Sequence, residues 1–226
     1  MTKVFRLGHE YVDRAGNPED QFLRFFKNSP HPGLKNAGGI RPLKTSDGER
    51  TAALILVSHE AEGPHHNPWE DFVDLATGTI LYWGDAKNTD QLRRDDFPGC
   101  RQLVEISDRV AHQKWDRVPP ILHFSKPRKG IVKFTGLCVL NRLEEGWSMD
   151  GDFPVRNYIA RLDVLADDQI HRGWISSLVS QDSPVHEPSA WRKYRGSGRV
   201  DKLNIYSAKV LSRTQQLPDP DSGDSR

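Results

Sequence analysis

The chain is short of cysteine, and that shortage excludes two architectures at once. Cys100 and Cys138 are its two cysteines among 226 residues, and they stand far apart. They make neither a disulfide framework nor a zinc ligand set. Long apolar runs are also missing. Nothing approaches the ~20 residues that span a bilayer, and Met1 to Arg6 has no apolar signal core. These absences lead us to expect a protein of a reducing cytoplasm with no membrane partner. Charge of one sign is lacking too. The net charge is +1, so no global basic field advertises nucleic acid. The 32 lysines and arginines need not be evenly spread, which leaves a local basic face open. No internal repeat is present.

What is there is a polar globular chain, 36% hydrophobic and 28% charged, long enough to bury a core. One domain is expected over 1–212. Residues 213–226, rich in Pro, Asp and Ser, read as a disordered tail or linker.

Asp74 to Lys87 organises the rest. An extended run, Trp69 to Leu75, turns at Thr77-Gly78, where glycine supplies a positive φ at little steric cost. A return strand, Thr79 to Trp83, is rich in β-branched and aromatic residues. It ends in Gly84-Asp85-Ala86-Lys87. Two large rings, a glycine and two opposite charges at a strand end suit a flat ligand. The rings can stack, the carboxylate accepts from an amine, and the ammonium meets a phosphate. The plain alternative is a core aromatic pair followed by a polar turn.

Elsewhere, Pro18 to Lys27 opens like a short helix, and Gly38-Gly39 allows close backbone approach between Asn36 and Arg41. Thr51 to Val57 is a continuous apolar run and predicts a buried strand. His65-His66 has no carboxylate or cysteine at ligand spacing, so no metal is expected. Leu103, Ile106, Val110 and Ala111 have helical spacing within Cys100 to Trp115. Ile121 to Phe124 and Gly130 to Leu140 flank a basic tip, Lys126-Pro127-Arg128-Lys129, a natural phosphate contact on a DNA-binding domain. Asn141 to Pro154 reads as a long loop. It leads to the alternating strand Arg156-Asn157-Tyr158-Ile159-Ala160. Gln169 to Val179 reads as a helix, Trp191 to Tyr194 as a helical turn, and Leu203 to Leu211 as a last strand or helix. Strands in runs favour an α+β fold: a curved mixed or antiparallel sheet braced by two or three helices.

Several pieces, in order, carry a resemblance: Gly38-Gly39-Ile40-Arg41, Asp74 to Gly78 with Tyr82-Trp83-Gly84-Asp85, Val118 to Leu122, Val132 to Leu137, Arg156 to Ala160, and Trp191 near Gly196. Together they resemble the N-terminal recognition domain of AspBHI-type restriction endonucleases, relatives of the MspJI group that cleave DNA containing modified cytosine. The resemblance implies an SRA-like, partly closed curved sheet that takes a modified base out of the duplex. Its partner would be double-stranded DNA carrying 5-methylcytosine or 5-hydroxymethylcytosine, with no cofactor. The reading site would draw on Asp85, Trp83, Tyr82, Asn36, Asn157 and Tyr158 for the base. Arg41, Lys87, Lys126, Arg128, Lys129 and Arg156 would hold the backbone. The family carries a nuclease domain after this region; here a polar tail follows. A nuclease acting as another domain or subunit, and a homo-oligomer, both stay open.

Two other readings compete. Asp85-Ala86-Lys87 fits half of the PD-(D/E)xK nuclease signature, with Asp74 or Asp71 as the upstream carboxylate holding Mg²⁺. Against it, a tight turn pairing Asp74 with about Leu81 sets Asp74 and Asp85 some ~13 Å apart. The second is a reader of another modification, such as phosphorothioate.

Overall fold

The computed structural model describes residues 3–26, 34, 39–59, 70–86, 97–150 and 152–204. The elements in order are β1 (Val4–Arg6), β2 (Glu10–Val12), α1 (Phe22–Phe26), β3 (Ile40–Lys44), β4 (Thr51–His59), β5 (Phe72–Asp74) and β6 (Thr79–Trp83). There follow α2 (Pro98–Ala111), β7 (Ile121–Arg128), β8 (Ile131–Asp150), β9 (Phe153–Val164), β10 (Gln169–His171), α3 (Arg172–Ser180) and α4 (Ser189–Ser197). The main sheet runs β3-β4-β7-β8-β9-β6-β5, with β2 on the first part of β8, and it is not closed. β1 pairs with β10 in a separate ribbon.

The apolar run of β4 is buried from Ala52 to Val57, as an interior strand covered on both faces requires. It pairs in parallel with β7, and the other pairings are antiparallel. Against the sheet packs a cluster of rings: Phe5 stacks on Phe25 at 3.8 Å, and Phe22, Phe26, Phe124 and Phe134 close around them. α2 starts with Pro98 at its first turn, where no amide hydrogen is needed, and buries Leu103 and Ile106. α4 lacks a cap from its own N-terminal neighbour. Asp167 supplies one from afar, accepting from the amides of Ser189, Ala190 and Trp191 at 3.0–3.3 Å.

Three sequence expectations are corrected. Asn141 to Pro154 is no loop, since β8 runs through to Asp150 and β9 begins at Phe153. This stretch forms an arm that continues past the last β6 pairing, Trp83 with Ile159, out to Asp150 with Phe153. At ~3.3 Å per residue it projects about 20 Å. One face of the arm exposes Glu145, Trp147 and Met149, and the covered positions of the other are Gly146, Ser148 and Asn157, so no apolar alternation marked it. Gln169 to His171 is strand, paired with β1, and the helix starts only at Arg172. The hairpin register also differs: Asp74 faces Thr79, and Phe72 faces Leu81. The Asp74 carboxylate closes the turn, accepting from the Ala76 amide at 2.9 Å and the Thr77 hydroxyl at 2.6 Å.

Candidate nucleic-acid interface

Tyr82, Trp83, Asp85, Asn157 and Tyr158 do come together, where β6 ends beside β9. The Gly84 amide donates to the Tyr158 carbonyl at 2.8 Å. Asn157 is fully buried. Its Nδ2 donates to the Gly84 carbonyl and its Oδ1 accepts from the Tyr158 amide, both at 2.8 Å. Both ends of that amide are therefore taken by main chain, and Asn157 braces the strand end.

Tyr82 is buried, with its ring edge-on to His123 at 5.9 Å between centroids. The Gly39 backbone lies against its phenol: a Cβ there would sit 2.3 Å from the hydroxyl oxygen. Burial, with the Asp71 and Asp85 charges behind it, pushes the phenol well above its ordinary value, so it stays a neutral donor. Trp83 is half-buried. Its indole Nε1 donates to the Glu70 carbonyl at 3.0 Å, and its amide donates to Asp71 Oδ1 at 2.8 Å.

Asp85 is half-buried and leans on the first turn of α2, where a Cβ on Gly99 would lie 2.2 Å from Asp85 Oδ2. That helix has no acidic residue of its own in its first turn and no side-chain cap. The positive end of its dipole favours a carboxylate there.

Asp71 is the group that the pattern of rings and charges did not single out as a reader. It stands just before β5, half-buried, beside the Trp83 amide and the Ser58 hydroxyl. Burial pushes its carboxyl up to about 6, and the neighbouring Asp85 charge adds to the rise. The two hydrogen bonds oppose it. Behind it, Ser58 Oγ is 2.8 Å from His123 Nε2, and His123 Nδ1 is 2.5 Å from Thr135 Oγ1. All three are buried, and burial alone pulls the His123 imidazole down to about 3, so it is neutral. A bulge places Thr135 there: β7 pairs His123 with Gly136 but Phe124 with Phe134, which leaves Thr135 as the extra residue. The sequence held a signal for this chain. Ser58 and His123 interrupt or end apolar runs that must be buried, and buried polar groups need partners.

The expected cations are less free than the sequence implied. Arg41 is buried beneath this site, with its guanidinium 5.8 Å from the Phe22 ring, and burial pulls its basicity down. Lys126 is half-buried with its ammonium 3.4 Å from Asp13. Arg128 makes a two-pronged pair with Glu10 at 3.1 and 2.5 Å, and Arg156 pairs with Glu145. Lys129 is exposed. Asn36, Lys87 and His65-His66 lie outside the described residues. Among the described residues, no group of three or more His, Cys, Asp or Glu is placed to hold a metal. No described helix is long and apolar enough to cross a membrane.

Among the described residues an open, mostly antiparallel sheet carries four helices, which is the SRA-like class of α+β fold. The family model described as "Restriction endonuclease AspBHI N-terminal" matches residues 5–206, and the chain belongs to that family. Among solved structures, it is similar to the DNA modification-dependent restriction endonuclease AspBHI. The identity is 24%, the TM-score 0.69, and the match covers 88% of this chain and 94% of that one. It is similar to the DNA recognition domain of the cytosine modification-dependent restriction endonuclease LpnPI, at 23% identity and TM-score 0.70, covering 88% and 91%. It is also similar to MspJI restriction endonuclease in complex with a 27-mer oligonucleotide, at 22% identity and TM-score 0.76. There the match covers 97% of this chain but 58% of that one. Among curated proteins, none matches.

Proposed function

We propose that this chain is the modified-DNA recognition domain of a modification-dependent restriction system, reading 5-methylcytosine or 5-hydroxymethylcytosine as a base turned out of the duplex. One observation carries the reading: two carboxyls, Asp71 and Asp85, lie close to each other beside the Tyr82 phenol, at the strand end that also carries the half-buried Trp83 and Tyr158. An extruded cytosine needs a ring surface and acceptors for its exocyclic amine, and these residues supply both. Family membership and the SRA-like fold support the same reading. Asp71 is the primary acceptor, because Asp85 is engaged by the α2 terminus.

The arm of β8 and β9 stands next to this end of the sheet. It exposes Trp147, Met149 and Phe153, with Arg156 beside them. Apolar side chains on a projecting ribbon suit a groove, where they can lodge against an unstacked step. Lys129 at the β7–β8 tip adds a backbone contact without selectivity. DNA cleavage belongs to a nuclease domain or subunit acting with this one.

The test is a binding panel at fixed salt, using duplexes that are plain or carry methylcytosine, hydroxymethylcytosine, methyladenine or phosphorothioate. Preference for a modified cytosine is expected. Asp71→Ala should cost about 1–3 kcal/mol of that preference while retaining non-specific, salt-dependent binding. Equal affinity for all five duplexes would overturn the reading. Selectivity lost in Asp85→Ala but kept in Asp71→Ala would exchange the two roles.

A further inference from the structure

We propose that Ser58, His123 and Thr135 are positioning residues that draw the proton of Asp71 inward, so that its carboxyl shows only acceptors to a ligand in either protonation state. This rests on the reading of Asp71 as the base acceptor.

The buried chain of hydroxyls and imidazole has few hydrogens to share. Thr135 Oγ1 is 2.9 Å from the His123 carbonyl and 2.5 Å from His123 Nδ1. Ser58 Oγ is 2.8 Å from Nε2 and within reach of the Asp71 carboxyl. A hydroxyl has one hydrogen to give, and a neutral imidazole has one nitrogen that donates and one that accepts. Two arrangements put one hydrogen in every link from Asp71 to Thr135, and the first also serves the His123 carbonyl. In the first, Asp71 is protonated and donates to Ser58, and Ser58 donates to Nε2. Nδ1–H then donates to Thr135, and Thr135 donates to the His123 carbonyl. In the second, Asp71 is ionised. Nε2–H donates to Ser58, Ser58 donates to Asp71, and Thr135 donates to Nδ1. Passing from the first to the second releases one proton to solvent and moves the imidazole hydrogen from Nδ1 to Nε2.

In the first arrangement the carboxyl hydrogen is occupied by Ser58; in the second there is none. A protonated Asp71 with its hydrogen turned outward would forfeit the bond from Thr135 to the His123 carbonyl, so the inward form prevails and Asp71 offers no donor to the site. A base amine is accepted and a carbonyl at the same place is refused, in both states. Among the described residues, the other ionisable groups facing Asp71 are Asp85 and Tyr82, and Tyr82 in turn faces Arg41 and Cys100. Tyr82 also packs edge-on against the His123 ring, where its neutral phenol brings no charge to the Ser58–His123 link.

The experiment follows the His123 ring nitrogens by ¹⁵N NMR in the DNA-free protein from pH 4.5 to 7.5, with the Asp71 carboxyl carbon read alongside. The hydrogen should sit on Nδ1 at the acid end and on Nε2 at the neutral end, the change tracking Asp71. Asp71→Asn, whose amide donates to Ser58, should hold the Nδ1–H form throughout. An imidazole that keeps one tautomer while Asp71 titrates would overturn the proposal. The second readout is binding of matched duplexes carrying 5-methylcytosine or thymine at the read position. The parent should prefer the amine equally at pH 5.5 and 7.5. Ser58→Ala should keep the preference at pH 7.5 and lose it by tenfold or more at pH 5.5. A preference unaffected by pH in Ser58→Ala would also overturn the proposal. If no duplex is preferred by the parent while the tautomer follows Asp71, the reading of the site falls and the proton chain stands.

Discussion

Asp71→Asn is expected to make the free protein more stable at neutral pH. The Asp71 carboxyl is raised from 3.8 to about 6. The folded state therefore holds this proton more tightly than the unfolded chain. Stability from this group is fully present below about pH 3.8, falls as pH rises to about 6, and is flat beyond. At ~1.4 kcal/mol per unit, some two units amount to up to ~3 kcal/mol lost at neutral pH. Asparagine copies the protonated acid. Its Oδ1 still accepts from the Trp83 amide, as Asp71 Oδ1 does at 2.8 Å, and its Nδ2 donates to Ser58. It cannot ionise, so it escapes the loss. Urea unfolding of both proteins from pH 4.5 to 7.5 measures the difference, with every other titrating group common to both. The advantage of Asn should grow across that range and level off above pH 6.5. A difference that stays constant with pH, or a less stable variant at pH 7.5, would refute the assignment of a strained carboxylate.

Asp167→Ala should destabilise the domain by about 1–2 kcal/mol by uncapping α4, visible as a lower urea midpoint with unchanged slope. Replacing Lys126, Arg128 and Lys129 together should weaken binding to every duplex alike. The salt slope should flatten by only about one unit rather than by ~0.9 for each of the three, because Asp13 and Glu10 already engage two of them; a loss confined to modified DNA would place the tip in the reading site. Trp147→Ala should leave unfolding unchanged, since that ring is 67% exposed, and should lower DNA affinity; equal affinity would remove the arm from the interface. The chain alone should not cut DNA with Mg²⁺ or Mn²⁺, and Mg²⁺-dependent product strands that vanish in Asp71→Asn would refute that.

Much of the sheet was legible because its residues alternate or run apolar against a core. Thr51 to Val57, the Thr77-Gly78 hairpin and the helical spacing of Leu103 and Ile106 all emerged as expected. The arm of β8 and β9 did not, because one face is exposed through Glu145, Trp147 and Met149 and the covered positions of the other are Gly146, Ser148 and Asn157, so neither face shows an apolar stripe. The site was half legible. The cluster of rings, glycine and carboxylate at the end of β6 is visible in the sequence. The hairpin register is not. Pairing Asp74 with Thr79 rather than Leu81 brings Asp71, not Asp74, alongside Tyr82 and Trp83. The partners of Arg128 and Lys126, Glu10 and Asp13, come from the first strand region, far off in sequence.

The ribbon of β1 and β10 has a consequence for how the chain folds. It joins Val4–Arg6 to Gln169–His171, so the first strand has no partner until nearly all of the domain has left the ribosome. Phe5, at the centre of the ring cluster, rides on that strand. Closing so long a loop is entropically costly and slow. The aromatic core is therefore completed last and from both ends of the chain. A nascent domain stopped short of His171 would expose those rings, and removal of the first six residues would leave the finished sheet without its central plug.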